Sequence, residues 1–227
     1  MAEAITNIQL SDSDTDKLPF PSIIGQVEAR RILWKALRHK RLAHAYLFTG
    51  MEGVGRMALA LELARVLNCS QDPLVSATED CDCRSCVNIR NWRHPNLIGL
   101  FPLPNIDKDK GEEADRVFAE IIALKSSDPY APLKLVGTGR ILIDQVREIR
   151  SRLSLTSDRI GKRVVIIQPA DRMTDEASNA ILKLLEEPPD DCCLLLITES
   201  IRLLMPTIVS RCQVIRFAPL KIGRAHV

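Results

Sequence analysis

The feature that most constrains this chain is a glycine-rich turn, Gly50-Met51-Glu52-Gly53-Val54-Gly55-Arg56-Met57, placed between two apolar segments of different period. Ala45-Tyr46-Leu47-Phe48 before it reads as a buried strand that stops at Thr49-Gly50, and Ala58 to Leu67 after it repeats at helical spacing. Strand, glycine loop and helix together open a parallel α/β fold, in which loop N–H groups and a helix N-terminus can hold phosphate. The expected class is α/β: a P-loop-type parallel sheet flanked by helices.

A working phosphate loop has two glycines five apart, then Lys, then Ser or Thr. The glycines let the backbone wrap the phosphates, the lysine reaches the outer ones, and the hydroxyl binds Mg²⁺. Here Gly50, Gly53 and Gly55 are in place, but the lysine position is Arg56 and the hydroxyl position is Met57. Nucleotide hydrolysis also needs acidic residues at the tip of a second strand. Arg163-Val164-Val165-Ile166-Ile167, apolar and β-branched, is that strand, and it is followed by Gln168 and Pro169, with Asp171 displaced into the loop. Three chemical requirements fail together, so the loop is expected to bind ATP weakly or not at all and not to hydrolyse it efficiently.

Around this unit, residues 1–19 are polar and acidic and read as a flexible leader. Val27 to about Arg41 has helical spacing, with Arg30, Arg31, Lys35, Arg38, Lys40 and Arg41 on a face read as solvated, the rival being a phosphate-tracking surface. Residues 102–139, rich in Asp, Lys, Pro and Gly, read as a surface excursion around one helix, Glu112 to Leu124. Ile141-Leu142-Ile143 reads as a strand meeting a helix capped by Asp144. Ala177 to Glu187 reads as a helix stopped by Pro188-Pro189, and Cys193–Ile197 and Gln213–Phe217 as strands. With 46% hydrophobic residues the chain can bury a core, and no apolar run approaches the ~18 residues of a membrane helix. The 31 basic and 29 acidic residues nearly cancel, which does not suggest a free-standing nucleic-acid binder. Nine aromatics (Phe 5, Trp 2, Tyr 2) are few for base-stacking platforms.

Seven cysteines without an export signal suggest a reducing, cytoplasmic setting. Cys69, Cys81, Cys83 and Cys86 fall within residues 69–86 and read as a structural Zn²⁺ module, since four thiolates close a tetrahedron. Asp80 is a rival for the place of Cys81. Cys192, Cys193 and Cys212 read as buried small hydrophobes, and His94 as structural rather than a ligand.

The order Ile24-Gly25-Gln26, His44 to Phe48, the glycine loop, the cysteine insertion, Ala177-Ser178-Asn179-Ala180-Ile181-Leu182-Lys183-Leu184-Leu185-Glu186-Glu187-Pro188-Pro189 and Ser210-Arg211-Cys212 resembles bacterial clamp-loader subunits. These are AAA+ proteins of the DNA polymerase III holoenzyme, and the resemblance spans about Phe20 to Leu220. Within that family it implies the delta prime branch, which keeps the Ser-Arg-Cys motif while its own ATP site decays, over the ATP-hydrolysing gamma/tau branch. It implies that Arg211 is an arginine finger acting in trans, that Thr198 is a polar sensor-like position, and that the Cys-x₂-Cys-x₂-Cys half of the zinc module is shortened here by one residue. The implied partners are gamma/tau and delta subunits, the sliding clamp and primed-template DNA. A zinc-dependent regulator unrelated to replication is a weaker rival.

Residues 221–227, Lys-Ile-Gly-Arg-Ala-His-Val, reverse-translate to a short-read sequencing adapter and are expected to be non-native. On that reading the lid and collar domains of the family are missing through truncation, and 20–220 is one AAA+ domain. Setting aside Lys221 and Arg224 takes the 31 basic residues to 29, level with the 29 acidic ones. Re-sequencing the locus tests this expectation; a gene that still encodes the seven residues contradicts it.

Overall fold

The computed structural model describes residues 18–103, 111–133, 139–154 and 161–220, so most of the expected leader and the whole 221–227 tail lie outside the described residues. Five strands, β1 (Ala45–Thr49), β2 (Leu97–Leu100), β3 (Arg163–Ile167), β4 (Cys192–Thr198) and β5 (Gln213–Arg216), pair in parallel in the order β2-β3-β4-β1-β5. Every residue of β1, β3 and β4 is buried, which is why these strands are continuous apolar runs without polar alternation.

Their side chains divide by parity between two cores. Tyr46, Phe48, Val164 and Ile166 face one core, formed with helices α1 (Val27–Arg38) and α2 (Arg56–Asn68). Helix α5 (Gly111–Ser127) closes the same core with Val117, Phe118, Ile121 and Ile122. Leu47, Val165 and Ile167 face the other, built with α6 (Ile143–Ser154) and α7 (Asp175–Glu186). Between α2 and β2 the chain forms two short helices, α3 (Pro73–Thr78) and α4 (Arg84–Arg90), both packed on α2. A four-residue helix, α8 (Pro206–Val209), leads into β5.

Three expectations need correction. Ile141–Ile143 is not a sheet strand: Ile141 makes one isolated bridge, to Met173, and α6 begins at Ile143. Asp144 therefore lies in the first turn, ion-paired with Arg147 at 3.1 Å, and the terminal amide of Leu142 is capped by Gln145 Oε1 at 2.9 Å. Arg30 is not on a solvated face. It is 6% exposed and donates to the carbonyls of Pro19 (2.7 Å), Ile23 (3.0 Å), Gly25 (3.2 Å) and Leu18 (3.2 Å), pinning the entry segment to α1. The 102–139 segment is not wholly a surface excursion, because α5 belongs to a core.

Candidate functional site

The glycine loop follows β1 at the C-terminal edge of the sheet, where open α/β sheets place ligands. Gly50 ends the strand, Gly53 has φ +76°, and Gly55, with φ +93°, is the N-cap of α2. These left-handed conformations turn the chain so that a 13-residue helix points its N-terminus at the loop. Met57 is 2% exposed and packs into the core, so an apolar group stands where a magnesium-binding hydroxyl belongs. Arg56 is buried, which lowers the pKa of its guanidinium, while Glu199, Glu52 and Asp171 act to raise it. Arg56 shares a hollow of about 170 Å³ with Glu52, Asp171, Glu199 and a second cation, Arg172, and Gln168 and Pro169 also line it. A triphosphate entering there would meet three carboxylates as like charges, against two guanidinium groups.

Gln168, at the end of β3, has its Oε1 buried without a hydrogen-bond partner. Thr198, at the end of β4, is fully buried; its hydroxyl donates to Asp171 Oδ1 at 2.7 Å and accepts from Ser200 N at 3.3 Å. The displaced aspartate therefore holds the sensor-like threonine.

Two residues at the loop carried no sequence signal. Lys125, 1% exposed at the end of α5, donates from Nζ to Ala131 O at 2.5 Å, and burial lowers its pKa to about 8. Tyr130 lies against Gly55, and its hydroxyl accepts from Ile24 N at 3.0 Å. Gln26 joins the same region from below. Its amide donates to Val54 O at 3.1 Å and Ala218 O at 2.7 Å, and it accepts from Ala218 N at 3.1 Å.

Arg211 lies between α8 and β5, at the end of the sheet opposite the loop. β5 pairs in parallel with β1 from Tyr46↔Gln213 to Thr49↔Arg216, so Arg211 is level with the start of β1 and Gly50 with its finish. Five strand residues span about 13 Å at ~3.3 Å each, beyond the reach of one guanidinium. Arg211 is partly exposed and is held by Thr207 O at 3.0 Å and Glu186 Oε1 at 2.7 Å.

The four cysteine sulfurs of the insertion lie within 4.8 Å of one another, Cys69 and Cys83 at 4.0 Å. Tetrahedral zinc with ~2.3 Å bonds needs sulfurs ~3.8 Å apart, so the donor set fits. Asp80 is exposed and outside this group. Burial opposes ionisation of Cys83, yet hydrogen bonds from Ser70 bring its thiol down to about 5, whereas burial and the neighbouring sulfurs raise Cys86. His94 is engaged elsewhere: Nδ1 accepts from Asn96 N at 3.1 Å, leaving Nε2 to donate to Ser85 Oγ at 2.8 Å. Burial raises the thiols of Cys192, Cys193 and Cys212 to about 11, 12 and 12, as for inert core groups.

A sequence profile described as DNA polymerase III, delta subunit matches residues 25–221. The chain belongs to that family. Delta-family sequences similar to it include the DNA polymerase III subunit delta' of Bacillus subtilis, 32% identical over 86% of this chain and 48% of the relative. The subunit delta' of Pseudomonas aeruginosa is 33% identical over 81% and 46% respectively. The tau subunit of B. subtilis is also similar, at 29% identity over 86% of this chain and 28% of its own length. The chain spans about half the length of the delta' relatives it matches. A crystal structure of a DNA polymerase III gamma subunit-related protein from Thermotoga maritima superposes with a TM-score of 0.50 at 21% identity, covering 84% of this chain and 46% of that one. It shows the fold alone, a parallel sheet flanked by helices. Among the described residues, no helix is long and apolar enough to cross a membrane.

Proposed function

We propose that this delta-family chain acts as the delta prime subunit of a clamp loader, a subunit that does not hydrolyse ATP and supplies Arg211 to the ATP site of a neighbouring gamma/tau subunit. The observation that carries this reading is the position of Arg211 at the far end of the sheet from its own glycine loop, partly exposed and out of reach of it. An arginine that cannot serve its own loop can serve one across a subunit boundary, where it stabilises charge on the transferring phosphate; such fingers are worth on the order of 10³–10⁵ in rate. The loop supports the same reading. Arg56 faces carboxylates, Met57 is buried, and Gln168 and Pro169 replace acidic residues. In the assembly, ATP use by neighbours would open a sliding clamp and place it on primed DNA, with gamma/tau and delta subunits as direct partners.

Cys69, Cys81, Cys83 and Cys86 would hold Zn²⁺, which supplies a structural cross-link rather than chemistry. Arg65 supports this role for the module, since it donates from α2 to Ser76 O at 2.6 Å and to Cys86 Sγ at 3.6 Å.

The test is DNA-stimulated ATP hydrolysis by the reconstituted assembly carrying Arg211→Ala. The expected result is a loss of about 10³-fold or more at the neighbouring site, on the order of the finger effect, with assembly intact. Unchanged turnover removes the role of Arg211.

A further inference from the structure

We propose that the segment from Lys125 to Ala131, at the end of α5, seals the phosphate cradle of this chain, taking the place that a nucleotide fills in an open loop. The proposal rests on reading Gly50–Met57 as a phosphate-loop relic, which is also part of the proposed function.

Four contacts place the seal. A Cβ built on Gly55 would meet Tyr130 Cε1 at 2.7 Å, so the ring lies directly on the residue that caps α2. The Tyr130 hydroxyl accepts from Ile24 N at 3.0 Å, so the side chain bridges the loop and the segment that enters α1. Lys125 reaches the same place from α5, with its ammonium bonded to Ala131 O and fully enclosed beside Glu52 and Arg56. Asp128 Oδ1 accepts from Tyr130 N at 2.8 Å and fixes the turn between them. The space left among Gly53, Gly55, Arg56, Lys125, Tyr130 and Gln168 is about 20 Å³. That is room for about one water, and with the adjoining hollow of about 170 Å³ at Glu52, Arg56 and Gln168 it still falls short of the ~300 Å³ or more of a small-molecule site.

The segment is not lying loosely on the surface. Ile121 is buried in the same core as α2, and Phe118, Ile122, Tyr130 and Leu133 pack against that core. Opening the cradle would therefore mean undocking part of the core. This gives α5 a role that the loss of the lysine and hydroxyl does not by itself require: the site is closed as well as incomplete.

The test is hydrogen–deuterium exchange of the loop amides in the full chain, parent against Tyr130→Ala. Removing the ring should speed exchange at Gly53–Met57 at least tenfold while β4 amides are unchanged; a folded variant with parental exchange at the loop overturns the proposal. Tyr130→Phe serves if the alanine variant does not fold. It should speed exchange of the Ile24 amide tenfold and leave the loop protected, and an unchanged Ile24 amide likewise overturns the proposal. Loss of the trans role of Arg211 would leave both readouts unaffected, so failure of one reading does not mimic failure of the other.

Discussion

Arg65 shows what single residues contribute here. It is 1% exposed in the last turn of α2, ion-paired to Glu62 at 2.6 Å and bonded to Ser76 Oγ at 3.1 Å. Replacing it with Met leaves the buried carboxylate of Glu62 without its partner, and breaking a buried pair from one side costs about 3–5 kcal/mol. Urea unfolding should show that loss for Arg65→Met and a smaller one for Glu62→Gln/Arg65→Met. Asp191 gives the pH dependence. Its hydrogen bond from Arg163, 2.7 Å from Nε to Oδ2, holds its carboxyl below the ordinary range. A depressed folded pKa stabilises the protein above the unfolded value of ~3.9 and is lost as pH falls through the folded one. The acid limb of the stability profile should therefore flatten in Asp191→Asn, by a modest amount because solvent screens this partly exposed pair. Arg30 and Arg65 were not legible as buried residues in the sequence. Their partners are carbonyls and side chains brought up by the fold, and helical periodicity reports only that a position is charged. Gly50, Gly53 and Gly55 were legible because their positive φ values restrict the residue type.

Among the elements, β1, β3 and β4 were legible because strands buried on both faces must be apolar throughout. β2 was not: it is four residues long, includes Gly99, and lies at the edge of the sheet. The role of α5 was hidden by its polar flanks, although Val117, Phe118, Ile121 and Ile122 give it a stripe at helical spacing. For α7, the capping hydroxyl is Thr174, which accepts from Ala177 N at 3.2 Å. Thr174→Ala should cost about 1 kcal/mol in denaturant unfolding. The cysteine module makes a sharper prediction. Cys81→Ser should lower bound zinc, measured by mass spectrometry of the native protein, whereas Asp80→Ala should leave one equivalent in place. The reverse pattern would move the fourth ligand to Asp80.

At the scale of the whole molecule, the sheet puts the glycine loop and Arg211 at opposite ends. The C-terminal edge holds a glycine loop whose cation is matched by Glu199, Glu52 and Asp171. The other end carries Arg211, held by Glu186 and Thr207 and open to solvent. The first arrangement suits a subunit that leaves ATP alone, and the second suits one that acts on the ATP of a neighbour. The loss of the lysine and hydroxyl could be read in the sequence, whereas the carboxylates around Arg56 and the cover of Tyr130 come from segments distant in the chain and required the fold. The nearly balanced charge, 31 basic against 29 acidic residues, gives this chain no net basic field toward nucleic acid. Equilibrium binding of magnesium-ATP to this chain by itself tests that division of labour most directly. The account predicts no saturable binding up to millimolar nucleotide, and magnesium-dependent binding in the micromolar range would contradict it.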